Sequence, residues 1–258
     1  MGGRGSKSRI QRHMPQPQPP QQQQPPQQTP INQTPVVNDA MSVLNSMSDD
    51  QLAQLMKQSK NVDMPNHLND VVDVTQKFVY KAGFNEMPQV LDDAAFDQYL
   101  KDNNIPRSDI LSRSVNGANY TVNGVSMRLT PQQVTDMMKY SQLNYVGGKH
   151  GGQVYGGGTY FDKNGGHNTG YGGGATAIAV LNPATAKIID KVTLKSQIPA
   201  FIQSHPKFAA QVGHGTSNDV LSIYALAMGY NVITDSRTNP SYHNVIDRKA
   251  LVYRKSNV

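Results

Sequence analysis

The sequence predicts an α+β domain carried behind an arm that contributes nothing to a core. Three observations point there. Helical periodicity comes first along the chain and short strand-like runs dominate late, without the regular β-α-β alternation of a doubly wound sheet. The first 47 residues are basic and then almost pure proline and glutamine over 15–30, a composition that favours extended backbone and buries no apolar surface. Hydrophobic residues make up only 37% of the chain, consistent with a part of it remaining outside any core.

Taken in order, residues 1–47 read as a disordered arm and 48–64 as a short helix with a linker. Ser48-Asp49-Asp50-Gln51 is a capping-box pattern, and Leu52, Leu55 and Met56 share the face of the helix it opens. This piece is expected to be an interaction helix tethered by flexible chain. The compact domain is expected over 65–258, with a helical lead-in over 65–104. There Asn66 caps a helix bearing Leu68, Val71, Val72, Thr75, Phe78 and Val79, and Gly83 ends it. A second helix spans 93–102 with Phe96, Tyr99 and Leu100 at helical spacing, before Ile105-Pro106 breaks the pattern. Residues 110–115 read as the first strand. Thr130-Pro131-Gln132-Gln133 supplies a cap, a proline at the first helical position and a glutamine at the third, opening a helix with Val134, Met137 and Met138. A strand over 176–181 stops at Asn182-Pro183, and 194–208 is mixed and broken by prolines. A helix over 216–227 and strands over 230–234, 242–246 and 250–253 follow, with 247–249 turning between the last two.

Composition removes several function classes. There is no cysteine, which excludes disulfides and thiolate metal sites. The histidines lack metal-ligand spacing, Gly147-Gly148-Lys149 is followed by histidine rather than the Ser or Thr of a phosphate-binding loop, and no serine sits in a nucleophile elbow. No apolar run reaches the length of a membrane span, and the basic start lacks the apolar segment of a secretory signal, so a cytosolic protein is expected. The net charge of +6 concentrates basic residues at both ends (Arg4, Lys7, Arg9 and Arg12; Arg248, Lys249, Arg254 and Lys255). Such termini can hold nucleic acid through phosphate contacts, though a solvated arm is the commoner use.

Thirteen of the 22 glycines fall in 147–174, a stretch that also holds Tyr160-Phe161 and Tyr171 and runs straight into a strand. On composition this reads equally as a flexible, disordered glycine loop or as backbone that approaches a flat, polar ligand closely, with aromatic faces beside it. Two tyrosines eleven residues apart can sandwich a planar pyridinium by stacking and cation–π attraction. The sequence order is Leu111-Ser112-Arg113-Ser114-Val115, Gly157-Gly158-Thr159-Tyr160-Phe161-Asp162, Tyr171-Gly172, then a late helix–strand pair and a closing strand pair. Over about 105–253 this resembles the ADP-ribosyltransferase superfamily, in particular the divergent transferase-like proteins of bacteriophages and prophages.

The resemblance implies a split mixed and antiparallel sheet with flanking helices. It also implies NAD as substrate, cleavage of the nicotinamide–ribose bond, and transfer of ADP-ribose to a host or phage protein. Arg113 stands at the family's first signature position, where a guanidinium pairs with a diphosphate oxygen or ribose hydroxyl. The cofactor set it implies is Arg113, Ser114, Gly158, Thr159, Tyr160, Asn168 and Tyr171, with Arg113, Tyr160 and Asp247 as catalytic candidates. The family's late-strand glutamate is missing: the chain's one glutamate is Glu86, far upstream. Tyr242 or Asn244 stands at its position; Asp247 substitutes if the register differs, with Asp235 a further carboxylate in the late region. The Pro/Gln arm is then a tether to a phage particle or another large assembly, in the host cytoplasm or on the virion; the alternative is a non-catalytic phage head-associated protein that keeps the fold without the chemistry.

Overall fold

The computed structural model describes residues 39–68, 72–141, 157–163, 174–213, 220–235, 237 and 241–257. Most of the arm, together with Asn168 and Tyr171, falls outside the described residues. The described part belongs to one compact unit, Asn38–Val258.

Helix α1 (Ala40–Asn45) lies within the stretch expected to be arm, and it buries Met41 and Leu44. Helix α2 (Asp49–Lys60) carries the predicted capping box, Ser48 accepting from the Gln51 amide while Gln51 accepts from the Ser48 amide. Its apolar face is built into the domain instead of being tethered ahead of it, because Leu52, Leu55 and Met56 share one core with Phe78, Phe208, Leu221 and Tyr224. The expected start at Asn66 is corrected. Residues Asn66–Leu68 form strand β1, and α3 (Val74–Lys81) is capped by Asp73, whose carboxylate accepts from the Gln76 amide at 2.8 Å. Gly83, at φ +86°, ends the helix as predicted. Strand β2 (Gln89–Leu91) precedes α4 (Asp93–Asp102), whose bounds match the prediction.

Strand β3 (Leu111–Val115) is followed by β4 (Ala118–Val122) and β5 (Val125–Leu129). This hairpin lies outside the predicted elements, although Asn123-Gly124 between its strands has both residues at positive φ, the geometry of a two-residue hairpin turn. Helix α5 (Pro131–Tyr140) carries the predicted Thr130 capping box. Strands β6 (Thr159–Lys163), β7 (Ala175–Leu181) and β8 (Ile188–Asp190) follow. The stretch expected to be broken is helical: α6 (Lys191–Ser204) runs through Pro199, and α7 (Pro206–Val212) takes Pro206 at its first turn. Leu194 and Ile198, four residues apart and fully buried, anchor α6 despite the proline. Helix α8 (Leu221–Ala227), β9 (Val232–Asp235), β10 (Ser241–Val245) and β11 (Leu251–Arg254) complete the chain, with a short 3-10 turn over Arg248–Ala250.

The architecture is α+β. Strands β1, β4 and β5 make a small antiparallel sheet, and the other eight form a mixed sheet in the order β2-β11-β7-β3-β6-β10-β9-β8. Its parallel pairs are the two outermost, β2 with β11 and β8 with β9. The middle of the sheet is its weak seam. β3 pairs with β7 at five positions and β6 with β10 at five, yet β3 meets β6 only at Leu111↔Lys163 and Ser112↔Asp162. Two half-sheets are therefore joined at one end and part at the other.

Candidate functional site

Because side chains alternate across a strand, the registers say what each face carries. On one face, Ile178, Val180 and Val252 sit under Phe96 and Leu100 of α4. On the same face of the other half-sheet, Ile189, Ile233 and Ile246 sit under the core shared by α1–α3 and α6–α8. Between these two apolar patches the face turns polar. β3 contributes Ser112 and Ser114, β7 Thr176, β6 Tyr160 and Asp162, and β10 Tyr242 and Asn244, all brought to one side by the cross-strand pairs. This polar strip, centred on the seam and flanked by helices on both sides, is where the sheet concentrates hydrogen-bonding groups, with Ser112, Thr176, Asp162 and Asn244 buried in it. The opposite face is apolar where Leu111, Val115, Phe161 and Tyr253 pack with Val134 and Met138 of α5.

Of the predicted residues, Ser114 and Tyr160 lie on the strip, as do Tyr242 and Asn244, the two candidates for the position of the missing glutamate. The Ser114 and Thr176 hydroxyls are hydrogen-bonded at 3.1 Å, as expected of a directly opposed pair. Arg113, one residue before Ser114, belongs to the other face, and Thr159 alternates to that face as well. The guanidinium nevertheless closes on the site: its Nη1 donates to the Tyr160 carbonyl at 2.9 Å, across the gap where β3 and β6 no longer pair. Arg113 thus takes over the backbone hydrogen bonding that the seam lacks at this point and puts a fixed positive charge there.

Gly158 is buried against Asn244. A Cβ at Gly158 would stand 2.6 Å from the Asn244 Cγ and 2.9 Å from its Nδ2, so only glycine fits this approach. Asn244 is fully buried; its Nδ2 donates to the Ser222 Oγ at 3.1 Å and the Gly157 carbonyl at 3.4 Å. Asn244 therefore fixes the Gly157-Gly158 backbone at the head of β6, directly opposite Tyr160. Compared with family models, curated proteins and solved structures, the chain matches none.

Asp247 is placed elsewhere. It lies three residues beyond Asn244 and accepts from the Lys249 amide at 3.1 Å, capping the 3-10 turn. Burial, with Glu86 and Asp39 nearby, pushes its carboxyl up to about 6. Lys249 bonds Glu86 at 2.8 Å and Asp39 at 3.4 Å, so the one glutamate also belongs to this cluster. Arg248, buried beside it, donates to the carbonyls of Glu86 at 2.9 Å and of Ser141, at the end of α5; loss of solvent lowers it to about 10. Asp235 pairs across from Tyr242 at the strip's far end. Arg237 grips its carboxylate with two hydrogen bonds at 3.0 and 3.1 Å, and that contact holds it below the usual carboxylate range.

Asp162 and Ser222 lie outside the predicted set, yet the structure brings both to the site. Only the alternation within Tyr160-Phe161-Asp162 could have indicated Asp162 from sequence. Nothing local marks Ser222, which arrives on α8. Among the described residues no cluster of three or more His, Asp or Glu could hold a metal ion, and no helix is long and apolar enough to cross a membrane.

Proposed function

We propose that this protein binds NAD at the seam between β3 and β6 and is an ADP-ribosyltransferase-type domain. The observation that carries the reading is the seam itself. A sheet that parts between its first long strand and the Tyr160 strand leaves a polar strip between two helical layers, with Arg113 at its edge and Gly158 bringing backbone close. A ring over Tyr160 gains stacking and, as a pyridinium, cation–π attraction. The Arg113 charge favours the diphosphate. In the transferase reaction the bond between ribose C1′ and the nicotinamide nitrogen breaks. The electron pair leaves with nicotinamide, and a nucleophile of a host or phage protein takes the ADP-ribosyl group as it loses its proton.

A second reading is binding without turnover, in a virion-associated phage protein that keeps the fold. It is favoured by one observation: the β10 position opposite Tyr160 is Asn244, an uncharged amide engaged with Ser222 and Gly157, while Asp247 sits in the Glu86–Lys249 cluster. Without a carboxylate at that β10 position, a large catalytic contribution is lost.

The test is calorimetric titration with NAD alongside an assay of nicotinamide release, comparing the wild-type chain with Arg113→Ala and Tyr160→Ala. The transferase reading expects binding and release, both weakened about tenfold or more in each variant. Binding without release, in the presence of host lysate, selects the second reading. Absence of NAD binding by the wild-type chain refutes both.

A further inference from the structure

We infer that the outer edge of β5 pairs antiparallel with β5 of a second copy of this chain, about a two-fold axis at Met127. Among the described residues β5 pairs with β4 alone, which leaves its other edge open. It is also the longest open edge among them: β1, β2 and β8 span three residues each, β5 five. Proteins ordinarily blunt such an edge with proline, lysine or a bulge. Val125-Ser126-Met127-Arg128-Leu129 has neither proline nor lysine, and its register with β4 is unbroken. Its side chains nearest the turn are apolar and open to solvent, Val125 65% and Met127 46% exposed.

The register fixes which backbone groups face outward. The Asn123-Gly124 turn makes Val122↔Val125 a hydrogen-bonded pair, and the alternation continues at Tyr120↔Met127 and Ala118↔Leu129. Asn123 donates to the Pro65 carbonyl on the β1 side, as that alternation requires. The N–H and C=O groups of Ser126 and Arg128 therefore point away from β4, symmetrically about Met127. In an antiparallel copy Ser126 meets the partner's Arg128, and Arg128 meets the partner's Ser126, each pair exchanging both backbone bonds. Met127 then faces the partner's Met127 at the closer, non-hydrogen-bonded spacing, and Val125 faces the partner's Leu129. The apolar row Leu68-Tyr120-Met127 runs on into its own copy, joining two small sheets into one. Slipped registers are worse. A shift of two residues one way sets Arg128 against the partner's Arg128, like charges directly opposed. The opposite shift sets Arg128 against the partner's Gly124, which sits in the turn at φ +81° and cannot extend a ladder. An edge this short covers less than the roughly 800 Å² per partner of a standard interface, so the dimer is weak and concentration-dependent.

The chain contains no cysteine, so a single introduced thiol reports one contact. The full chain carrying Met127→Cys is expected to form an intermolecular disulfide on mild oxidation, because directly opposed positions stand within disulfide reach. Val125→Cys is the control. Val125 is the more exposed of the two, yet the pairing holds it roughly 14 Å along the strand from its own copy, so this variant should stay uncrosslinked. Sedimentation equilibrium over about 10 µM to 1 mM should show reversible dimers of the wild-type chain. Met127→Glu, which opposes two carboxylates at the axis, should weaken them about tenfold or more. A wild-type chain that is monomeric throughout that range overturns the proposal and leaves the edge to a strand of another protein. Dimers that Met127→Glu leaves intact overturn it, as does crosslinking of Val125→Cys as ready as that of Met127→Cys.

Discussion

Replacing Gly158 by alanine tests the packing at the head of β6. The added Cβ would lie 2.6 Å from the Asn244 Cγ, well inside van der Waals contact. Asn244 is fully buried and tied to Ser222 and Gly157, so it cannot swing into solvent. Overpacking of this kind costs about 1–3 kcal/mol, and pulling a buried amide off its partners adds about 1–3 kcal/mol. A loss of about 2–6 kcal/mol follows, or roughly 4–24 °C in Tm for a domain of this size. Urea unfolding of the full chain measures it, with an unchanged m-value showing that the unfolded state is not the cause. The diagnostic arm is the cycle with Asn244→Ala. That substitution vacates the space the new methyl needs, so the double variant should be more stable than the sum of the singles by about 1–2 kcal/mol. Gly158→Ala within about 0.5 kcal/mol of wild type, or strict additivity in the cycle, would refute the reasoning.

Other consequences concern the supports of the site. Asp247 holds its proton to about pH 6 in the folded protein against an ordinary 3.8, so the folded state carries more protons than the unfolded between those values and stability falls as pH rises through that window. Asp247→Asn keeps an acceptor for the Lys249 amide; it should flatten this part of the pH–stability curve and raise stability at pH 7 by on the order of 2 kcal/mol, measured by urea unfolding at several pH values. Lys139, fully buried on α5, donates to the Lys255 carbonyl at 2.8 Å and to the Asn257 Oδ1 at 2.5 Å, and burial lowers it to about 8. Its folded value lies below its unfolded one, so stability should rise from about pH 8 towards 10.5, a rise that Lys139→Met abolishes in the same assay. Deleting residues 255–258 removes both acceptors and should cost about 2–4 kcal/mol, part of it recovered by Lys139→Met in the shortened chain. Ser48→Ala, breaking the α2 capping box, should cost about 1 kcal/mol by thermal unfolding.

Legibility in the sequence tracked how local each determinant was. The capping boxes at Ser48 and Thr130, the bounds of α4 and the stop at Gly83 were readable because side chain, backbone and neighbour lie within one turn. The Asn123-Gly124 hairpin was equally local: asparagine followed by glycine suits the positive φ that both turn positions take. Asn66 misled because an asparagine can cap a helix or sit in a strand. Pairing of residues 66–68 with β4, more than fifty residues away, made it a strand. Pro199 argued against a helix that Leu194 and Ile198 nevertheless form by reaching a core assembled from six helices.

The sequence by itself determined the kinds of residue available to the site: arginine on a predicted strand, tyrosines within a glycine-rich stretch, and a shortage of late carboxylates. It determined the α+β class, because periodicity is a property of neighbours. Tertiary structure alone decided which faces those residues share. Strand registers set Ser114, Tyr160 and Asp162 on one face, turned Arg113 and Thr159 to the other, and left Asp247 with Glu86 and Lys249. A one-residue change of register reverses every side chain of a strand. Register depends on partners distant in sequence, so no short stretch of this chain encodes it alone.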